Sequence, residues 1–224
     1  MNREPSKGIS WGMVIIVLIL FALFVLLALP TGPRVSEGHR MAHASNNARM
    51  ILICLKAWAG ENQGNYPDSY SKTPPETANE AFRLLVQKGI IEDERIFTAP
   101  VSPFTNDNNI GEAPDYLEAV ESGENHWCLV KGLNDQTDGN TPVVFENPVK
   151  GSWPPAWNAD SAGKPVEGRA WKKGKVIIGR NDGSVRPEEL QSTQGAAVPL
   201  KKDSEGKDLF TRWLPNGSCL DVER

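Results

Sequence analysis

The N-terminal part of the chain contains a long run of apolar residues. Residues 11–29 read WGMVIIVLILFALFVLLAL and carry no charge over nineteen positions. A helix of this length is roughly 29 Å long, which matches the bilayer hydrocarbon core of about 30 Å. The alternative, a buried core helix, is disfavoured because the run has no polar side. The pattern predicts a transmembrane helix, with residues 1–10 in the cytoplasm and a domain of residues 30–224 on the other side.

Helical periodicity resumes after Pro30, Gly32 and Pro33 interrupt the apolar run. Apolar residues recur at spacings of three and four over residues 41–59, and charged or amide side chains lie between them. This spacing places one apolar stripe along a helix surface. The pattern therefore predicts an amphipathic helix over about residues 36–61, whose stripe needs a sheet or other helices to cover it.

A second helix and several strands are predicted further along the chain. Thr77 and Glu80 fit a capping box at the helix start, and Gly89 is a suitable end. Asp182 and Gly183 lie between the last two strand-like segments and predict a hairpin turn. The segments rich in β-branched and aromatic residues are 126–133, 142–146, 175–180 and 184–186. One long helix followed by an antiparallel sheet predicts an α+β domain.

Charge and cysteine content limit the expected partners. The net charge of −4 comes with no basic stripe, so nucleic acid is not an expected partner. Cys54, Cys128 and Cys219 lie far apart and form no CxxC motif. An oxidising compartment would permit one disulfide between two of them, and buried free thiols are the alternative. The spacing does not select a pair.

Residues 134–140, NDQTDGN, concentrate oxygen-bearing side chains in one segment. Calcium takes about six to eight oxygen ligands, often from such turns, so Asp135, Asp138 and Asn140 are candidate calcium ligands. The alternative is a solvated β-turn, since Asp, Asn and Gly favour turns in any case. The segment departs from the EF-hand pattern, because its twelfth position, counted from Asn134, is Phe145 and not glutamate. No other cofactor is expected.

No catalytic constellation is visible among the nucleophilic and titratable residues. The chain has no GxSxG, SxxK or HExxH motif. His39 and His43 are four residues apart, a spacing that suits zinc on a helix face, but the sequence offers no third ligand. His126 has no identifiable nucleophile beside it. We therefore predict that the protein is not an enzyme.

The segment from residue 151 to residue 171 carries three tryptophans, Trp153, Trp157 and Trp171. Exposed aromatic clusters mark binding sites, so these side chains are candidates for a ligand surface. The alternative is that they close a small sheet over its loops. Both interpretations predict an ordered loop, since tryptophan is rare in disordered segments.

Several short motifs resemble the type IV pilins and the pseudopilins of type II secretion. In that family a prepilin peptidase cuts after a glycine, and a hydrophobic residue then begins the membrane helix. Gly8 and Ile9 fit this processing site, and Pro30 lies where the family has a helix proline. The segment NQGNYP at 62–67 is similar to the turn that ends the long helix in prepilin-like proteins. The resemblance implies a pilin-like fold, with a long N-terminal helix packed on a small antiparallel sheet.

One departure from the family pattern concerns subunit assembly. The family has a glutamate at the fifth position after the cut, where it pairs with the N-terminus of a neighbouring subunit. This chain has Met13 at that position. Met13 and Pro30 are then expected to act only in packing of the membrane helix.

The resemblance implies a structural function. The expected protein is a subunit of a type II secretion or type IV pilus-like filament in the bacterial inner membrane, with its domain in the periplasm. Its partners would be the lipid bilayer and copies of itself or other pilin-like subunits. The alternative is a membrane-anchored binding module, outside any filament, that presents the Trp-rich loop to a ligand.

Overall fold

The computed structural model describes residues 11–28, 36–69, 73–149 and 153–224. The chain divides into two units, Met1–Ser36 and Glu37–Arg224. Helix α1, Trp11–Ala28, belongs to the first unit. The second unit contains three further helices of the described chain and all of its strands, so the α+β character is that of the second unit.

The structure contradicts the prediction that helix α1 crosses a membrane. It has 18 residues and is roughly 27 Å long. Within the ranges that the structure describes, no helix is both long and apolar enough to cross a membrane. The prediction of a transmembrane helix over residues 11–29 is therefore wrong. The fold class that included a membrane-spanning N-terminal helix, the single-pass inner-membrane location and the membrane assignments are corrected with it.

Helix α2, Glu37–Glu61, buries the apolar stripe that its sequence predicts. Ile51, Leu52 and Leu55 are fully buried on this stripe. The helix contacts three strands of the main sheet, and it approaches them closely. A Cβ at Gly179 would lie 2.8 Å from Leu52 Cδ1, so this strand position has room only for glycine. Burial of the stripe, at about 25 cal/mol per Å² of apolar surface, holds helix and sheet together.

The main sheet has five strands, all antiparallel to their neighbours, in the order β5-β4-β2-β1-β7. A smaller two-stranded sheet pairs β3 with β6. The predicted segments 142–146 and 175–180 are confirmed as β2 and β4. The strand bounds are Trp127–Val130 (β1), Pro142–Glu146 (β2), Ala156–Trp157 (β3), Lys175–Arg180 (β4), Val185–Glu189 (β5), Val198–Pro199 (β6) and Cys219–Leu220 (β7).

Two short helices and two single turns of 3₁₀ helix complete the second unit. Helix α3, Ala78–Gln87, begins as predicted, because the Thr77 hydroxyl accepts the amide N–H of Glu80 at 3.1 Å. Helix α4, Leu209–Trp213, has a complete capping box between Asp208 and Thr211. The 3₁₀ turns are Pro67–Ser69 and Glu94–Phe97. Because the caps satisfy amide groups that the first turn leaves unpaired, both helices start at defined residues.

A left-handed turn joins the end of α2 to the loop at 134–140. Gly64 has φ +84°, and its carbonyl accepts the amide N–H of Asp135 at 2.9 Å. Two residues later the Tyr66 hydroxyl donates to Asn181 Oδ1 at 2.6 Å, which reaches the β4–β5 hairpin. Burial, followed by the charge of Asp135, raises the pKa of Tyr66 to about 12. The turn therefore connects α2 to both loops at this end of the sheet.

Substitution of Gly64 by alanine tests this turn. We expect Gly64→Ala to lower the free energy of unfolding by about 1–2 kcal/mol, since alanine is strained at positive φ. The added Cβ would also lie 2.5 Å from Asp135 Oδ1. The control is Gly60→Ala in α2, where a Cβ has open space, and it should raise stability by about 0.5–1 kcal/mol. Urea denaturation measures both; equal effects of the two substitutions would contradict the account of the turn.

Candidate functional site

The predicted processing residues are Gly8 and Ile9, and the residues predicted to pack the membrane helix are Met13 and Pro30. Gly8, Ile9 and Pro30 are outside the described residues. Met13 lies on α1, where its side chain is exposed. The processing hypothesis therefore stays a prediction, and only Met13 can be placed.

Helix α1 presents an uninterrupted apolar surface. All described side chains of this helix, at residues 11–24, are exposed, and none is charged or polar beyond the indole of Trp11. Trp11 is 84% exposed and Phe24, near the other end, is 68% exposed. Apolar side chains in such numbers are not stable in water, so this surface is a candidate interaction site.

The candidate calcium ligands form local turn contacts. Asp138 Oδ1 accepts the amide N–H of Asn140 at 2.8 Å and its Nδ2 at 3.2 Å. Asp135 Oδ1 accepts the side-chain amide of Gln136 at 3.2 Å. Asp138 and Asn140 are exposed, and Asp135 is half-buried beside Gly64. The contacts are those of an Asp turn, and calcium binding at these residues stays a prediction.

The three tryptophans of the Trp-rich loop differ in exposure. Trp157 and Trp171 are fully buried, and Trp153 is half-buried. Trp153 donates its indole N–H to the carbonyl of Leu214, and Trp157 donates to the backbone carbonyl of Glu146, both at 3.0 Å. Two of the three indoles therefore belong to the core and offer no surface to a ligand.

The three cysteines are free thiols in this structure. Cys128 in β1 and Cys219 in β7 lie on neighbouring strands, and Cys128 Sγ donates to Asp221 Oδ1 at 3.5 Å. Burial raises the pKa of the Cys128 thiol. Cys54 is buried in α2 and belongs to the core. The structure thus brings together one of the three possible pairs.

Several donor groups surround a fully buried carboxylate, that of Glu146. Glu146 ends β2, and its Oε2 accepts the amide N–H of Ile177 in β4 at 2.8 Å. The indole N–H of Trp171 lies 3.0 and 2.9 Å from the two carboxylate oxygens. His126 Nε2 and Arg169 Nη1 lie 3.1 and 3.2 Å from Oε1. Three hydrogen-bond donors and one guanidinium, from three separate segments, therefore converge on one side chain.

The groups around Glu146 have further partners of their own. Arg169 donates from Nε to the carbonyl of Val101 and from Nη2 to that of Pro100, at 3.0 and 3.1 Å. The Arg169 guanidinium carbon lies 4.0 Å from the centre of the Trp171 ring, a cation–π distance. His126 Nδ1 is 2.9 Å from the hydroxyl of Ser102. The cluster therefore ties the loop after α3 to the sheet.

The pKa values of the cluster favour one charge state. Burial alone would raise the pKa of Glu146, but the charge of Arg169 and the hydrogen bond from His126 lower it below its usual value. Burial lowers the pKa of His126, because the imidazolium is poorly solvated there, although Glu146 opposes this effect. At neutral pH the cluster therefore consists of a carboxylate, a guanidinium and a neutral imidazole.

The cluster orients the strands and loops around it and is closed to solutes. No side chain of Glu146, His126, Arg169 or Trp171 is more than 1% exposed. A substrate cannot reach these atoms, so the arrangement orients strands and loops. Sequence analysis missed it because Arg169 lies 23 residues from Glu146 in sequence and no motif relates them. The one available signal was Glu146 itself, a charge at the end of the apolar segment PVVFE.

Three carboxylates could hold a metal ion. One oxygen each from Glu94, Asp107 and Glu124 lies within 4.8 Å of the other two, and this is the only such group found among His, Cys, Asp and Glu of the described chain. Sequence spacing could not identify it, since the three residues are spread over 31 positions with no repeated interval.

Acidification tests the charge state of the cluster. A folded-state pKa of His126 below the unfolded value of 6.5 means that the unfolded chain binds more protons just below that pH. Stability is then complete above about pH 6.5 and falls as the pH drops, by up to about 1.4 kcal/mol per pH unit. We expect the wild-type chain to lose more stability than His126→Gln between about pH 7 and pH 5. Urea denaturation at each pH measures this difference.

The comparison with His126→Gln removes the effects of the carboxylates common to both chains. His39 and His43 are exposed on α2 and are present in both. Parallel pH profiles of the two chains would contradict a buried, neutral His126.

Comparisons with known proteins add no assignment to this geometry. No protein-family model, no curated protein and no solved structure matches the chain. The resemblance to pilins and pseudopilins therefore stays a prediction from short motifs.

Proposed function

We propose that this protein is a structural subunit that assembles with copies of itself through helix α1. The observation that carries the proposal is the exposed apolar surface of α1, which has no charged side chain. The proposal keeps the lateral helix packing expected from the sequence. It includes no membrane anchor, since no helix of the described ranges can span one.

The size of the apolar surface supports an interaction function. Residues 11–24 form a cylinder roughly 21 Å long and about 10 Å across, with a lateral surface of roughly 660 Å². Soluble monomers rarely expose contiguous apolar patches above a few hundred Å². The area is also close to the about 800 Å² that each partner buries in a standard protein interface. The apolar area of this helix that a partner would bury is therefore large enough to drive association.

The chemistry of the surface favours copies of the same chain as the partner. Charged and polar groups choose between partners by complementarity or repulsion, and α1 offers neither. An uncharged apolar helix is complementary to itself. Because apolar residues surround the helix, a dimer would leave part of the surface in water. We therefore expect assemblies of more than two copies.

The alternative, a binding module built on the Trp-rich loop, has less support. Two of its three indoles, Trp157 and Trp171, lie in the core, and Trp153 is held by Leu214. Only part of one indole is then available to a ligand.

Site-specific photo-crosslinking tests the proposal. A photoreactive amino acid in place of Leu20, which is 61% exposed on α1, should yield adducts at two and more times the 24.6 kDa chain mass. The matched control carries the same amino acid in place of Leu117, an exposed leucine of the second unit at 70%. We expect no multiples of the chain mass from the control. The adducts are identified by mass spectrometry from cells that express the full chain.

Two outcomes would contradict self-assembly through α1. One is the absence of chain–chain adducts at Leu20 when the control also gives none. The other is equal yields of multimers at Leu20 and Leu117, which would mean that association does not depend on the apolar helix.

A further inference from the structure

We propose that Glu94, Asp107 and Glu124 form a calcium-binding site that fastens the loop between the 3₁₀ turn Glu94–Phe97 and β1. One oxygen of each carboxylate lies within 4.8 Å of the other two. Two oxygens on opposite sides of a calcium ion, at about 2.4 Å each, would be about 4.8 Å apart. The spacing thus suits three ligands around one ion. The proposal is independent of assembly through α1.

The buried position of Glu94 is the second observation that points to a cation. Its side chain is 1% exposed. Oε2 accepts the amide N–H of Val120 at 3.1 Å, but Oε1 accepts no hydrogen bond of ordinary geometry although it is buried. A buried carboxylate oxygen without a partner costs free energy that a coordinated ion would recover.

No basic side chain neutralises the three carboxylates. None of the ion pairs found in the described ranges includes Glu94, Asp107 or Glu124. Three carboxylates close together without a cationic partner are the condition that a divalent cation relieves.

Backbone amides hold the carboxylates in place and leave oxygen lone pairs for an ion. Glu124 Oε1 accepts the amide N–H of Asp107 at 3.0 Å, and its Oε2 accepts that of Glu121 at 2.7 Å. Asp107 Oδ1 accepts the amide N–H of Asn109 at 2.8 Å. Each carboxylate oxygen has two lone pairs, so one hydrogen bond does not prevent coordination. The backbone amides of the loop therefore hold these carboxylates in position before an ion binds.

The donor chemistry selects the class of metal. All three ligands are carboxylate oxygens, which suit hard cations, and zinc would favour nitrogen or sulfur. Magnesium demands near-ideal octahedral geometry at about 2.0–2.1 Å, dehydrates reluctantly and is usually bound by only one or two carboxylates together with waters. Calcium accepts a less regular set of three carboxylates, and water or loop carbonyls can supply its remaining ligands.

Calcium titration of the full chain, after treatment with EDTA and dialysis, tests this site. We expect saturable heat in isothermal titration calorimetry and a rise in Tm with calcium, both weaker with magnesium. Asp107→Asn, at an exposed position, and Glu94→Gln should each raise the calcium Kd on the order of tenfold or more. If Glu94→Gln fails to fold, Asp107→Asn still decides the outcome.

Two controls carry the same type of change elsewhere. Glu112→Gln removes an exposed carboxylate from the same loop, and Asp138→Asn removes one from the 134–140 turn. The first should leave the calcium Kd unchanged, and the second shows whether the ion binds at the 134–140 turn instead. A wild-type chain that gives neither heat nor a Tm shift with millimolar calcium would overturn the proposal. The proposal would also be overturned if Asp107→Asn left the calcium Kd unchanged. The same holds if only Asp138→Asn raised the calcium Kd, because the ion would then bind elsewhere.

Discussion

The buried carboxylate of Glu146 is the constraint on which the second unit depends. Removing a carboxylate and a guanidinium from water costs several kcal/mol each, and only good geometry with further hydrogen bonds offsets this cost. Three donors, His126, Trp171 and Ile177, supply those bonds, at about 1.5–3 kcal/mol for each bond to a charged group, and Arg169 adds an ion pair. The gain and the cost are similar in size. The complete cluster therefore adds little net stability. Loss of one member leaves a buried charge without a partner, so the cluster selects against other arrangements of β2, β4 and the loops.

The two long helices of the chain solve the burial of apolar residues in different ways. Helix α2 has an apolar stripe and a polar side, and the sheet of its own unit covers the stripe. Helix α1 has apolar residues on every side, and its described side chains are exposed. A helix of the first kind completes a fold, whereas one of the second kind requires partners. This contrast is the physical basis for placing self-assembly on α1 and stability on the second unit.

Local patterns predicted the local elements of the fold well. The α2 stripe, the Thr77 cap and the strands at 142–146 and 175–180 all depend on neighbouring residues, and the structure confirms them. Contacts between distant residues were not predictable. Asn47 is one of the amide side chains between the apolar positions of α2, yet it is buried and donates to the carbonyl of Thr98. The short strand β7, the partners of Glu146 and the Glu94 carboxylate group likewise depend on the tertiary fold. The membrane prediction relied on the apolar content of residues 11–29, and no helix of the described residues is long and apolar enough to cross a membrane.

A double-mutant cycle on Glu146 and Arg169 tests the central claim most directly. Glu146→Gln and Arg169→Met should each lower the free energy of unfolding by about 3–5 kcal/mol, because each leaves the other group buried and unpaired. The double variant should cost far less than the sum, since no charge is then left alone. The exposed pair Lys201–Glu189 is the control and should show a coupling of at most about 1 kcal/mol. Additive effects at Glu146 and Arg169 would contradict the claim that their pairing organises this fold.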